Sequence, residues 1–131
     1  MGTYRAPPAW VSEAQGARRK WDAYVARNVK PGTRPNSYAQ AIGVVNALCD
    51  PCDRVVAAAG GLPAEVTANW RTLDIGPVDV EFGFSCMGYE IAGGWGARIA
   101  QSELEPAQDT IVFTGDGSYM LMNSDIYSSV L

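Results

Sequence analysis

The stretch DTIVFTGDGSYMLMN, from Asp109 to Asn123, changes its hydrophobic period in the middle. Ile111, Val112, Phe113 and Thr114 form a continuous apolar or β-branched run, the mark of a buried strand. After Ser118 the apolar positions Tyr119, Met122, Ile126 and Val130 recur at three- and four-residue steps, the period of a helix. Gly115-Asp116-Gly117-Ser118 is then a tight turn feeding a helix N-terminus, where free backbone N–H groups and the positive end of the helix dipole favour an anion. Two glycines let a ligand approach the backbone, and Asp116 adds one carboxylate suited to a divalent cation. The turn reads in two ways: a site for phosphate plus metal, or a glycine-rich turn whose Asp or Ser caps the helix.

The same grammar recurs upstream. Residues 1–9 are irregular, held so by Pro7 and Pro8, and an amphipathic helix follows from Trp10, with Ser12 a candidate cap. Trp10, Ala14, Ala17, Trp21 and Tyr24 share its apolar face, while Arg18-Arg19-Lys20 beside Glu13 and Asp22 make a solvated one. Lys30 to Pro35 reads as a linker. Asn36 or Ser37 caps a helix to about Cys49, with Tyr38, Ile42, Val45 and Cys49 on one face. Arg54 to Ala59 is a short buried strand ended by Gly60-Gly61, and Pro63 opens a short helix to about Trp70. Gly76-Pro77 turns into a second strand, Val78 to Phe82. The loop Gly83–Gly88 then opens a helix from Tyr89 to about Gln101, and Glu103 to Gln108 is a loop.

The helix from Tyr89 carries a small-residue stripe, Gly88, Ala92, Gly96 and Ala100, beside a bulky one, Ile91, Trp95 and Ile99. Each glycine costs a helix about 1 kcal/mol relative to alanine, so close approach by a sheet or a ligand is expected, with core packing the simpler cause. The order is a helix, a linker, then αβαβαβα. It predicts an α/β fold with a three-layer parallel sheet and right-handed crossovers, residues 1–35 forming the linker with its helix and 36–131 the domain.

Bulk properties exclude several functions. With 131 residues there is room for one core. A net charge of −4 argues against nucleic-acid or anionic-membrane partners. A charged fraction of 18% suggests surface meant to be covered by other protein. No apolar run reaches the roughly 18–20 residues that span a bilayer. The opening MGTYRAPPAW lacks a signal-peptide core, and Ala6 departs from the myristoylation pattern, so a cytoplasmic protein is expected. Histidine is absent, which removes His-dependent triads and His metal sites. Cys49-Asp50-Pro51-Cys52 is a CxxC, but only Cys86 remains as a further thiol ligand, and Asp-Pro is ordinary turn chemistry.

The two loops at the ends of successive strands, where open α/β sheets bind ligands, resemble the pyrophosphate-binding domain of thiamine-diphosphate enzymes. The resemblance rests on Gly115-Asp116-Gly117-Ser118 and on Ser85-Cys86-Met87-Gly88 with its glycine/alanine-rich helix. It is most specific from Val80 to Ile126, and Trp70-Arg71 and Ala59 to Pro63 also fit. There the wording is similar to the trihydroxycyclohexane-dione hydrolase branch of inositol breakdown, whose activity is hydrolytic C–C cleavage of a cyclic trihydroxy-1,2-dione to a 5-deoxyglucuronate. The resemblance implies that Asp116 ligates Mg²⁺ and that the backbone of Gly117 and Ser118 holds the diphosphate, with Gly115 in the same cofactor-binding set. It further implies that Met87 is the apolar residue beneath a bent cofactor, and that backbone groups of Ser85 and Met87 hydrogen-bond its aminopyrimidine. Glu81 and Glu90 lie near this edge and receive no role; satisfied or solvent-facing carboxylates are expected.

Two departures qualify the resemblance. The family continues to an Asn-Asn pair about 30 residues on, a βαβ step, whereas this chain stops at Leu131 and Asn123 comes too early. The glutamate that activates the cofactor belongs to another domain and acts across a subunit interface. The chain is therefore expected to be a fragment of a homo-oligomeric enzyme with a small-molecule substrate. By itself it would be catalytically silent, with no catalytic residue of its own and an open sheet edge. Alternatives are a fragment of an acetolactate-synthase-like carboligase, a non-catalytic α/β remnant, or a nucleotide-phosphate binder, against which the missing P-loop lysine argues.

Overall fold

The computed structural model describes residues 4–32, 36–72, 76–104 and 107–130. Its elements follow the order α1 (Pro8–Asn28), α2 (Tyr38–Leu48), β1 (Arg54–Ala57), α3 (Leu62–Asn69), β2 (Val78–Val80), α4 (Tyr89–Leu104), β3 (Thr110–Phe113) and α5 (Asp116–Val130). The three strands make one parallel sheet in the order β2-β1-β3. Val55 lies opposite Val78 on one side and Ile111 on the other. The α/β architecture expected from the sequence is present. The chain steps from β1 to β2 in one direction and from β2 to β3 in the other, so right-handed crossovers put α3 and α4 on opposite faces of the sheet.

Strand β1 explains why its sequence is apolar without alternation. Val55, Val56, Ala57 and Ala58 are all fully buried because both faces are covered. Val55 and Ala57 pack with Ile42, Val66 and Trp70, joined by Val78, Val80, Ile111 and Phe113. One residue along, the opposite face of β3 meets α4, where Val112 lies against Gly94. Two polar side chains fix the connections. Asn46 donates to the Arg71 carbonyl at 2.9 Å and accepts from the Arg71 N–H at 2.8 Å, tying α2 to the end of α3. Asp53 accepts from the N–H groups of Asp50 and Asp109 at 2.8 and 2.9 Å, tying the start of β1 to the start of β3.

Several boundaries and faces differ from expectation. Helix α1 begins at Pro8, whose missing N–H is tolerated in a first turn, so Pro7 and not Ser12 precedes it. Its only buried residue is Val25; Trp10 remains 62% exposed, and Trp21 and Tyr24 are exposed too. Ser37 caps α2 in a reciprocal capping box with Gln40. In α2 the expected face is only partly inside: Ile42 is buried and Tyr38 exposed. Strand β2 stops at Val80, leaving Phe82 exposed, and α4 runs on to Leu104. Thr33 to Pro35 of the expected linker, Glu105 and Pro106 of the expected loop, and Leu131 lie outside the described residues.

Core packing does not explain the small-residue stripe of α4. Ala92, Gly96 and Ala100 face solvent; the inward residues are Glu90, Ile91, Gly94 and Gln101. A Cβ at Gly94 would fall 2.4 Å from Val112 Cγ2, whereas one at Gly96 would meet nothing within 4 Å. The two glycines should thus respond oppositely to alanine. Gly94→Ala is expected to destabilise by about 1–3 kcal/mol through overpacking. Gly96→Ala is expected to stabilise by about 0.5–1 kcal/mol through helix propensity. Urea denaturation of both variants checks the pair; equal shifts would remove the close sheet approach as the reason for Gly94.

Candidate functional site

The loop after β2 is organised by a carboxylate. Glu81 accepts from the backbone N–H groups of Phe84 at 2.8 Å and Cys86 at 2.9 Å, one on each oxygen. These bonds curl the chain so tightly that Ser85 takes φ +51°, the one non-glycine residue with positive φ among the described residues. The Cys86 N–H, then that of Phe84, holds the Glu81 carboxyl below the ordinary glutamate range. A depressed folded-state value means the loop is favoured above the unfolded value of about 4.3 and released as pH falls through the lower, folded one. The protection of the Phe84 and Cys86 amides, taken relative to the intrinsic exchange rate at each pH, is expected to hold from pH 7 to about pH 4.3 and to fall below it. Glu81→Gln, with a single carbonyl acceptor, should be fast at one of these amides throughout.

Gly88 closes this loop with φ +94°, a conformation open to glycine. Its N–H donates to Glu90 Oε2 at 3.0 Å, and Glu90 Oε1 accepts from Ala59 N–H at 3.0 Å. The loop is therefore anchored at two carboxylates, one partly exposed and one fully buried. Between the anchors, Met87 stands out from the surface, 58% exposed.

The turn after β3 is tighter than its sequence suggests. Helix α5 starts at Asp116, so Asp116, Gly117 and Ser118 already form its first turn, and only Thr114 and Gly115 connect it to the strand. Asp116 Oδ1 accepts from Gly117 N–H at 2.9 Å, and Tyr119 N–H donates to the Gly115 carbonyl at 2.9 Å. Neither Gly115 nor Gly117 has positive φ. Their value is spatial: a Cβ at Gly115 would meet nothing within 4 Å, and one at Gly117 would meet only the Met87 sulfur, at 3.9 Å.

The structure thus brings the Met87 sulfur within van der Waals reach of where a side chain at Gly117 would begin, uniting the two predicted segments. Ser85 is exposed in its loop, and Ser118 is buried under the turn. The residues fit a diphosphate cofactor: an open cradle above Gly115, the N-terminus of α5, which kinks at Met122, an exposed carboxylate at Asp116 and an apolar wedge beside them. Among the described residues no three His, Cys, Asp or Glu side chains converge on a metal position. A cation at Asp116 would hence take most of its ligands from phosphate and water, as Mg²⁺ commonly does. Elsewhere, Cys49 and Cys52 sit in a turn closed by Asp53 N–H to the Asp50 carbonyl. Burial, then the nearby carboxylates of Asp53, Asp109 and Asp50, pushes the Cys49 thiol up and away from reactivity.

Glu90 is the residue that sequence reasoning left without a role although it joins the end of β1 to the loop that opens α4. Its signal was a charge at the start of an otherwise apolar and glycine-rich helix, two residues after Gly88. No helix among the described residues is long and apolar enough to cross a membrane.

A parallel sheet with an anion-receptive helix start after β3 and an apolar wedge in the loop after β2, the two strands that flank β1, defines a cofactor-binding α/β domain. Residues 59–130 match the thiamine pyrophosphate enzyme family in its C-terminal TPP binding domain, and the chain belongs to that family. It is 39% identical over 89 residues to 3D-(3,5/4)-trihydroxycyclohexane-1,2-dione hydrolase 1 of Bacillus cereus, covering 68% of this chain and 13% of that protein. It is 37% identical over 90 residues to the hydrolase of the same name, without the numeral, from Clostridium botulinum, covering 69% and 13%. The counterpart from Bacillus thuringiensis is 38% identical over 89 residues, covering 68% and 13%. The chain spans about 13% of the length of these curated relatives.

Proposed function

We propose that this chain supplies part of the Mg²⁺ and diphosphate side of a thiamine-diphosphate site in a cytoplasmic hydrolase of inositol degradation. The substrate would be a cyclic trihydroxy-1,2-dione, opened by C–C cleavage to a 5-deoxyglucuronate. The observation that carries this reading is the placement of Met87 beside Gly117, which brings together the loops after β2 and β3, the two strands flanking β1, in a chain whose relatives bear the name of that hydrolase. Bound thiamine diphosphate supplies the carbanion-stabilising chemistry of C–C cleavage. The chain's own residues bind and orient. Asp116 would hold the cation, the Gly117 and Ser118 N–H groups would face the diphosphate beside Gly115, and Ser85 and Met87 backbone groups would meet the aminopyrimidine. The Met87 side chain would fill the space beneath it and exclude water.

Phe82, Phe84 and Met87 of the loop after β2 and Met120 and Leu121 of α5 are all exposed apolar side chains, Phe84 to 90%, and such residues suit cover by another protein surface. A homo-oligomer whose interface covers the cofactor belongs to the same proposal. Calorimetric titration of the purified chain with thiamine diphosphate tests the core of it. Binding in Mg²⁺ that disappears in a chelator is the expected result; no binding in either condition would leave only a non-catalytic α/β remnant.

A further inference from the structure

Glu90 lies in the first turn of α4 with its side chain fully buried. A carboxylate is retained in such a place only when hydrogen bonds replace its water. Its two bonds do different things. The one to Gly88 N–H is local and would by itself make Glu90 a helix-start cap. The one to Ala59 N–H crosses to the end of β1, 31 residues away in sequence, just before the Gly60-Gly61 turn. A cap needs no such partner. Through Gly88 the carboxylate fixes the residue next to Met87, and through Ala59 it references that position to the central strand.

We infer that Glu90 is a positioning residue for the cofactor face: by holding Ala59 and Gly88 at once it sets Met87 over Gly117, and with it the affinity for thiamine diphosphate. This inference rests on the proposed cofactor site and names a group that acts on it without touching the ligand. Glu90→Gln keeps the shape but turns an NH₂ donor toward one of the two N–H donors, so one tie must open. Asp53 offers a matched control, since it is also buried, accepts two backbone N–H bonds and belongs to the opposite end of β1.

The test is the Mg²⁺-dependent thiamine-diphosphate affinity of the folded 131-residue chain, measured by calorimetry beside its melting temperature. Glu90→Gln and Asp53→Asn are both expected to melt earlier, but only Glu90→Gln should bind more weakly, by roughly 10- to 100-fold, as for other supporting groups around a ligand. Wild-type affinity in Glu90→Gln, or an equal loss in both variants, would overturn the inference while leaving the cofactor site standing. A wild-type chain without affinity would overturn both. Should Glu90→Gln fail to fold, the amide resonances of the wild-type chain decide. Ala59 and Gly88 should shift together on titration with Mg²⁺ and thiamine diphosphate, and an Ala59 amide that stays fixed while Gly88 moves would refute the coupling.

Discussion

Asp116→Asn is expected to reduce Mg²⁺-dependent thiamine-diphosphate affinity by about 100-fold or more, while leaving the melting temperature essentially unchanged. The size follows from charge. A divalent cation is the largest local charge in such a site, and the diphosphate that shares it is itself anionic. Losing the carboxylate removes a full negative charge from the cation's shell and leaves an amide oxygen, a far weaker ligand for a hard ion. The fold should not notice, because Asp116 is exposed and its side chain bonds only the adjacent Gly117 N–H, which an asparagine oxygen also accepts. The cleanest readout is a titration in Mg²⁺ and in chelator. Asp116→Asn in Mg²⁺ should resemble the wild type in chelator, and a variant that still gains affinity from Mg²⁺ would place the cation elsewhere.

The order of elements was legible because parallel strands buried on both faces carry unbroken apolar runs, such as Val55 to Ala59, and glycines punctuate their ends. The cofactor segment Gly115–Ser118 was legible for the same reason, since it starts where the run Ile111 to Thr114 stops. Gly83–Gly88, by contrast, follows the alternating Val78 to Phe82 and was legible through its glycines and the resemblance. What escaped the pattern depends on partners distant in sequence. Helix α1 looks amphipathic through Trp10, Trp21 and Tyr24, yet it turns Val25 inward, and Val29 just past its end seats on Gly43, where a Cβ would fall 2.5 Å from Val29 Cβ. A small residue on α2 therefore decides which face packs, and periodicity within α1 carries no trace of it. Glu90 shows the same limit for polar groups. Nothing local announces that its second oxygen is claimed by Ala59. Likewise, the helical period Tyr119, Met122, Ile126 predicted an even helix, but Met122 leaves helical geometry at φ −128°, ψ 16°.

That kink coincides with a contact whose loss is the second large expected effect. Gly88→Ala should destabilise the chain by about 2–5 kcal/mol, a large part of the roughly 5–15 kcal/mol that holds a domain together. Two independent penalties contribute. An alanine at φ +94° suffers the clash that reserves such backbone for glycine, about 1–2 kcal/mol. Its Cβ would also fall 2.3 Å from Met122 Cγ, so the Met122 side chain must leave its rotamer at the root or α5 must shift, which adds the roughly 1–3 kcal/mol of overpacking. A double variant separates the two. Met122→Ala in the Gly88→Ala background removes the collision and leaves the backbone strain, so urea denaturation should show partial recovery. Full recovery would mean that φ at Gly88 costs nothing, and no recovery would mean that Met122 is not the obstacle. Because Gly88 also gives its N–H to Glu90 and precedes α4 immediately after Met87, displacement here moves the apolar wedge as well. Thiamine-diphosphate affinity should therefore fall in the single variant and return with stability in the double one, since the kinked α5 carries Asp116 at its start.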